Sequence, residues 1–346
     1  MKQEAYILLW LLGLACLGVL LHQLGEPEVW RHVVMMGWGY VPIIGITLAA
    51  YVNNVFAWRE SFDGGTERPR LRPLLWVKLV GEALGNVMPA SQIGKEVAKV
   101  MMLRERMGVT AGVSSLVLTK TGEMVSGVLF VLGGVLAGLH RYVFPAEIQW
   151  ALFAALTIAV VGAVLTVVRQ RRDPFTGLVN LVARMRISFV ARFRNRAAEI
   201  DRNLAAFYRL KGWRLAGLLG MHLTTWGLGT LEIYVILHVL GEPMPFVSVY
   251  LFHSLMMVIN VVFGFVPYGM GVFEGGHVFL FHLMGLEPGT GLAVGIVRRI
   301  RKIFWMLLGL LLLLLGSRTI RLRTPKEKDG LERVETTASL HHGQAP

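Results

Sequence analysis

Apolar residues in this chain do not alternate with polar ones. They run in long blocks separated by short polar or basic stretches. Blocks extend from Ala5 to Leu24, Val33 to Trp58, Ala111 to Leu139, Ile148 to Val168, Trp213 to Leu240 and Gly289 to Gly316. About 20 apolar residues in a helix cover the ~30 Å hydrocarbon core of a bilayer, so the pattern predicts about six spanning helices. Two further blocks are interrupted. Leu74 to Ala90 offers some 15 residues before Pro89 and contains Lys78, Glu82 and Asn86; an amphipathic segment from Ser91 then runs to Arg104-Glu105-Arg106. The run from Phe246 breaks at Pro267-Tyr268-Gly269-Met270-Gly271 and resumes from Val272 to Leu286. Broken backbone inside a bilayer is tolerated only where protein or water covers the freed polar groups. Residues 74–107 and 246–286 are therefore expected to be two re-entrant hairpins.

Composition agrees with this reading. With 54% hydrophobic and 16% charged residues and a mean hydropathy of +0.57, the chain is expected to be an all-α integral membrane protein. One transmembrane domain, 1–316, precedes a polar tail, 317–346, expected to be cytoplasmic and disordered. The first block is too long for a signal-peptide core and lacks a small-x-small cleavage site, so it reads as a retained span. The lone Cys16 lies inside it, which leaves no thiolate cluster for a disulfide framework or a metal. His222, His253, His277 and His282 form no metal-binding spacing either, and no cofactor motif is present.

The net charge of +13 is concentrated in linkers. Arg59, Arg68, Arg70 and Arg72 follow the second block, and the linker 169–212 carries eleven Lys or Arg against Asp173, Glu199 and Asp201. By the positive-inside tendency both linkers, and with them both termini, are expected in the cytoplasm. No soluble module is long enough to read a nucleic-acid groove. The basic linker reads as a solvated loop with one or two helices. It also reads as a surface-lying helix from about Phe175 to Tyr208, whose Arg192, Arg194, Arg196 and Arg202 meet anionic headgroups at ~1 kcal/mol each. Trp10, Trp38, Trp58, Trp76 and Trp213 are expected as interface anchors, and Asn53 and Asn54 as interfacial residues.

Charges inside the apolar blocks are the candidate chemistry. An ionised side chain at the bilayer centre costs at least ~2.5 kcal/mol, so Arg298, Arg299, Arg301 and Lys302 must face a partner, water or a ligand. Glu274, Glu123 and Glu232 are available as counter-charges and as proton sites, and Lys120 and Glu123, at i, i+3, share a helix face. The two hairpins also match in spacing. Pro89 precedes Glu96 by seven residues and Lys120 by 31, and Pro267 precedes Glu274 and Arg298 by the same intervals. A weak inverted repeat follows, its hairpins entering from opposite faces and meeting near the midplane as in transporters. Half-helices starting near Ser91 and Gly271 would point N–H groups at an anion, and Gly269, Gly271, Gly275 and Gly276 would let backbone approach it.

The motif Val266-Pro267-Tyr268-Gly269-Met270-Gly271-Val272-Phe273-Glu274-Gly275-Gly276 with Val297-Arg298-Arg299-Ile300-Arg301, together with Asn86-Val87-Met88-Pro89 through Gly94-Lys95-Glu96, resembles the flippase-like family of the lysylphosphatidylglycerol synthase transmembrane region. The likeness covers most of residues 5–316, and its nearest branch is the hopanoid-biosynthesis-associated membrane proteins. Lys95 between Gly94 and Glu96, Lys99 where arginine is usual, and Lys120-Thr121-Gly122-Glu123 depart from the pattern and make one half of the site more basic. The polar stretch after the last span is too short for the synthases' soluble transferase domain.

The resemblance implies a lipid-translocating or lipid-handling role around a central cavity, expected in a bacterial inner membrane. From the breaks, spacings and charges, Pro89, Ser91, Gly94, Glu96, Lys120, Glu123, Pro267, Gly269, Gly271, Glu274, Arg298 and Arg301 are expected to bind or couple, with Glu232, Arg299 and Lys302 in charge support. No nucleophile elbow, paired catalytic carboxylates or P-loop is present, so no enzymatic activity is expected. The expected function is movement of an anionic or phosphate-bearing lipid between leaflets, downhill or coupled to an ion gradient. The alternatives are a non-transporting lipid-binding subunit that serves a lipid-biosynthetic enzyme, and an intramembrane lipid transferase.

Overall fold

The computed structural model describes residues 31, 34–62, 68–87, 91–138, 141–142, 144–184, 193–209, 212–264, 266, 269 and 271–319. Regular structure among them is entirely helical: a 3₁₀ turn at Gly37–Gly39 and eleven α-helices. These are α1 (Tyr40–Glu60), α2 (Leu71–Val87), α3 (Ser91–Met107), α4 (Val109–Gly138), α5 (Ala146–Gln170), α6 (Pro174–Arg184), α7 (Arg194–Tyr208), α8 (Gly212–Val239), α9 (Phe246–Val262), α10 (Val272–Leu283) and α11 (Pro288–Thr319). The expected first span, Pro89, Pro267 and the tail beyond Thr319 lie outside the described residues.

Three of the helical stretches, Gly37–Glu60, α4 and α5, combine the length and apolarity needed to cross a bilayer. α5 is the plainest case. Only 6% of its most apolar window is buried, and Trp150, Phe153 and Ile158 stand exposed. A helix apolar all round and so little covered by protein is covered by lipid. α8 and α11, of 28 and 32 residues, are also long enough at ~1.5 Å per residue, but they carry Glu232 and the Arg298–Lys302 cations. By contrast, α2, α3 and α9 have 17 residues each and α10 has 12, short of a ~30 Å core.

The helices pack in a recurring pattern. α1 lies along α8; α2 packs on α3 and α11; α9 packs on α10 and α4; α3 packs on α4, and α10 on α11. One apolar cluster, including Val131, Ile233, Phe252, Leu280 and Val294, joins α4 and α8 to α11. A second, with Val55, Trp58, Leu74, Leu103 and Leu116, joins α1 to α4. Within a bilayer helices gain little from leaving lipid, and tight contact needs small residues. Gly138 supplies one: a Cβ there would stand 2.6 Å from the Leu251 side chain.

The basic linker folds as two helices, α6 and α7, instead of one long surface helix, and Arg192 lies outside the described residues. α7 buries Ala197, Ile200, Leu204 and Phe207 in a third cluster with Leu118 and Leu218. Its docking on α4 comes from that apolar stripe. Buried Asp201 accepts hydrogen bonds from the backbone N–H groups of Phe175 (3.1 Å) and Thr176 (2.8 Å), capping the start of α6.

Two interfacial expectations also change. Trp38 and Trp213 are exposed, whereas Trp58 is buried and donates to Ser115 Oγ at 3.2 Å. Asn53 donates to the Met221 carbonyl (2.6 Å) and to Thr225 Oγ1 (2.8 Å), and Asn54 donates to Glu123 (3.1 Å). Those side chains are used between helices, because each lies on the face of α1 that meets α4 or α8.

Candidate functional site

Two groups of buried charge flank the centre of the bundle. The first is built from α1 to α4. Glu82 on α2 receives Lys78 (3.1 Å) from its own helix and Lys95 (3.4 Å) and Lys99 (2.9 Å) from α3. Lys99 also reaches Glu96 at 3.3 Å. From α4, Lys120 contacts Glu96 at 3.1 Å and Glu123 at 2.6 Å, so the i, i+3 pairing read from the sequence is present. Asn54 holds the second oxygen of Glu123. Lys99 is only 2% exposed, and its stem fits because residue 81 is glycine: a Cβ at Gly81 would lie 2.6 Å from Lys99 Cγ. A buried charge is tolerated when partners replace its water. Each lysine Nζ here has at least one carboxylate.

The second group joins α8, α10 and α11. Arg301 donates to Glu232 (2.8 Å) and to Thr47 Oγ1 of α1 (3.2 Å). Arg298 Nε lies 3.7 Å from the other Glu232 oxygen, its Nη1 lies 3.4 Å from His277 Nε2, and its guanidinium sits 5.4 Å above the Phe273 ring, a cation–π distance. His277 Nδ1 is 2.7 Å from the Phe273 carbonyl. A carbonyl only accepts, so Nδ1 carries the proton and Nε2 is left to accept from the arginine. Arg299 pairs with Glu274.

The fully buried Glu274 also accepts from the Gly271 backbone N–H at 3.1 Å, tying down the start of α10. Gly271 has φ +73°, a conformation open to glycine and strained for side-chain-bearing residues. Arg298 to Lys302 begin about 15 Å along the 32-residue α11, far from both of its ends.

Between the two groups lies a cavity of about 280 Å³. α2 and α3 contribute Leu79, Glu82, Ala83 and Lys95; α9, the broken segment after it and α10 contribute Asn260, Phe263, Gly264, Val266, Gly269, Val272 and Phe273. Tyr51 of α1 and Lys302, Trp305 and Met306 of α11 complete the wall. Both interrupted helix pairs therefore border one chamber, and among the described residues its charged lining is two lysines and one carboxylate.

The structure gathers most of the described residues read from the sequence into three places. Gly269 and Lys302 line the chamber. Glu96, Lys120 and Glu123 belong to the first charge group, and Glu232, Glu274, Arg298, Arg299 and Arg301 to the second, with Gly271 capping α10. Ser91 starts α3 and Gly94 is buried within it. Arg298 and Arg301 are committed to Glu232, and the cation of α11 that faces the chamber is Lys302. Sequence reasoning did not single out Tyr51, Glu82, Lys95 or Asn260 as site residues. A lone carboxylate or amide in an apolar run, as at Glu82 and Asn260, was the available signal.

Searches of curated proteins and of solved structures give no match. The family model described as the lysylphosphatidylglycerol synthase TM region matches residues 6–310. With the buried charges, the interrupted helices and the lipid-facing α5 accounted for inside that range, the chain belongs to the lysylphosphatidylglycerol synthase transmembrane-region family, a family of flippase-like multi-pass membrane proteins.

Proposed function

We propose that this protein moves a lipid with an anionic or otherwise polar headgroup between the leaflets of a bacterial inner membrane, seating the headgroup in the chamber between α2–α3 and α9–α10. The observation that carries this reading is the chamber itself: two interrupted helix pairs meet at a cavity that presents Lys95, Lys302 and Glu82 between two groups of buried charge. Its size suits a headgroup, and its net positive lining favours a phosphate. The basic linkers support cytoplasmic placement of both termini. Membership of the hopanoid-associated branch is part of this proposal, which makes lipids of hopanoid-containing membranes candidates to test.

Two re-entrant hairpins inserted from opposite faces fit this role, and an internal repeat supports them. Residues 178 apart play matching parts: Asn54 and Glu123 join α1 to α4, and Glu232 and Arg301 join α8 to α11. Glu82 and Asn260, and likewise Lys95 and Phe273, stand at the same interval and all four line the chamber. The packing pairs exchange in the same way, α2 on α11 corresponding to α9 on α4. Inverted repeats that place a site at their interface are the architecture of many secondary transporters.

The test is leaflet exchange in liposomes carrying the purified protein and a headgroup-labelled phospholipid quenched from outside. Exchange above protein-free liposomes, lost in Lys95→Gln, Lys302→Gln, Arg298→Ala and Glu274→Gln variants that keep their thermal stability, supports transport. Exchange no faster than in protein-free liposomes overturns it in favour of a lipid-holding subunit for a biosynthetic enzyme. Conversion of the labelled lipid to a new product would instead indicate a transferase.

A further inference from the structure

A second cavity lies on the outer flank of the first charge group. We infer that the groove between α3, α4 and the end of α5 is a lateral lipid site that takes one acyl chain of a glycerophospholipid and places its phosphate at Lys120. The inference rests on the lipid-handling reading and adds the place where the lipid enters.

The groove has a volume of about 480 Å³. Its walls are largely apolar, with Val97 and Met101 on α3 and Val117 and Met124 on α4, and Lys120 and Glu96 stand among them. Val97 and Met101 are about half exposed, so in a bilayer this face looks into lipid tails. Such a seam, apolar along most of its length and carrying one exposed ammonium, matches an acyl chain joined to a phosphate. Lys120 is suited to the headgroup. Its side chain is 38% exposed, against 2% for Lys99 and 9% for Lys78, and a phosphate would share its ammonium with Glu96 and Glu123.

Two features make this more than a surface crease. From Lys120 a chain of ion pairs leads inward through Glu96 (3.1 Å), Lys99 (3.3 Å) and Glu82 (2.9 Å), and Glu82 lines the central chamber. A headgroup arriving at Lys120 thus finds a continuous polar track to the seat proposed for it. The groove's polar side is also tied to the basic linker, where Tyr208 donates to Gln170 (2.7 Å) and Gln170 donates to Thr121 (2.7 Å), the neighbour of Lys120. Arg169, Arg171 and Arg172 follow at the end of α5, giving the mouth a positive field toward anionic headgroups.

The experiment places a benzophenone amino acid at Met101 in the full chain, reconstituted in phosphatidylethanolamine vesicles that carry phosphatidylglycerol or diacylglycerol of the same acyl chains. Irradiation followed by mass spectrometry reads the adducts. Phosphatidylglycerol is expected to label in preference to diacylglycerol by roughly tenfold, the worth of one charged hydrogen bond. Lys120→Gln should remove that preference while labelling persists. Val117→Trp, which fills the groove and leaves every charge in place, should suppress labelling at Met101 but not at a second benzophenone on lipid-facing Phe153. Equal labelling by the two lipids, or a Met101 pattern indistinguishable from that at Phe153, overturns the inference. Selective labelling without leaflet exchange would leave the groove standing and remove the transport proposal; exchange without selective labelling would do the reverse.

Discussion

Glu232 on α8 accepts a hydrogen bond from Arg301 on α11 at 2.8 Å, with its side chain only 3% exposed. That one carboxylate also faces Arg298, so two guanidinium groups depend on it. Removing one partner of a buried ion pair leaves an uncompensated charge and costs about 3–5 kcal/mol. Glu232→Ala should therefore lower the thermal unfolding midpoint in detergent substantially. Glu232→Ala combined with Arg301→Met should recover part of the loss. A double variant no more stable than the single one would show that the pair is not what holds α8 to α11.

Glu82 serves three lysines, Lys78, Lys95 and Lys99. Glu82→Gln should destabilise the protein more than Lys78→Gln, because it takes the carboxylate from Lys78 and Lys95 and leaves Lys99 with Glu96 alone, whereas the lysine change strands no cation. Thermal unfolding of the two variants side by side measures the difference. Equal midpoints would count against a shared carboxylate.

At Gly271, φ is +73°, and a left-handed backbone costs residues with a Cβ about 1–2 kcal/mol. Gly271→Ala is expected to weaken the start of α10 by about that amount and to speed amide exchange there. Gly162 on α5 has open space around it and no such backbone requirement. Gly162→Ala should thus be neutral or slightly stabilising, since alanine is favoured over glycine in a helix by ~1 kcal/mol.

Asp201→Ala removes the carboxylate that caps α6 through the N–H groups of Phe175 and Thr176. Loss of such a cap typically costs about 1 kcal/mol. Limited proteolysis should then cut within Pro174–Arg184 sooner than in the unaltered chain, with the transmembrane helices equally protected in both.

Hydropathy alone was enough to locate the five longest of the described helices. The blocks from Val33, Ala111, Ile148, Trp213 and Gly289 became α1, α4, α5, α8 and α11, because an apolar run in a bilayer must satisfy its own backbone hydrogen bonds and the helix does so locally. The breaks before Ser91 and Val272 were legible for the same reason, since proline and clustered glycines cannot continue that pattern. So was the pairing of Lys120 with Glu123, one turn apart on a single helix.

Which acid meets which base across helices was not legible. Glu232 and Arg301 are 69 positions apart, as are Asn54 and Glu123, and nothing local distinguishes those partners from other buried charges. Packing of α8 on α1 and α11 on α2 assigned Arg298 and Arg301 to Glu232 and turned Lys302 toward the chamber. Asn53, Asn54 and Trp58 looked interfacial by type and proved internal by position. The sequence determined that the cations of α11 need partners, because an ionised group in hydrocarbon is costly wherever it sits. Only the tertiary structure decided which partner each one has, because that depends on side-chain direction and distance across helices far apart in the chain.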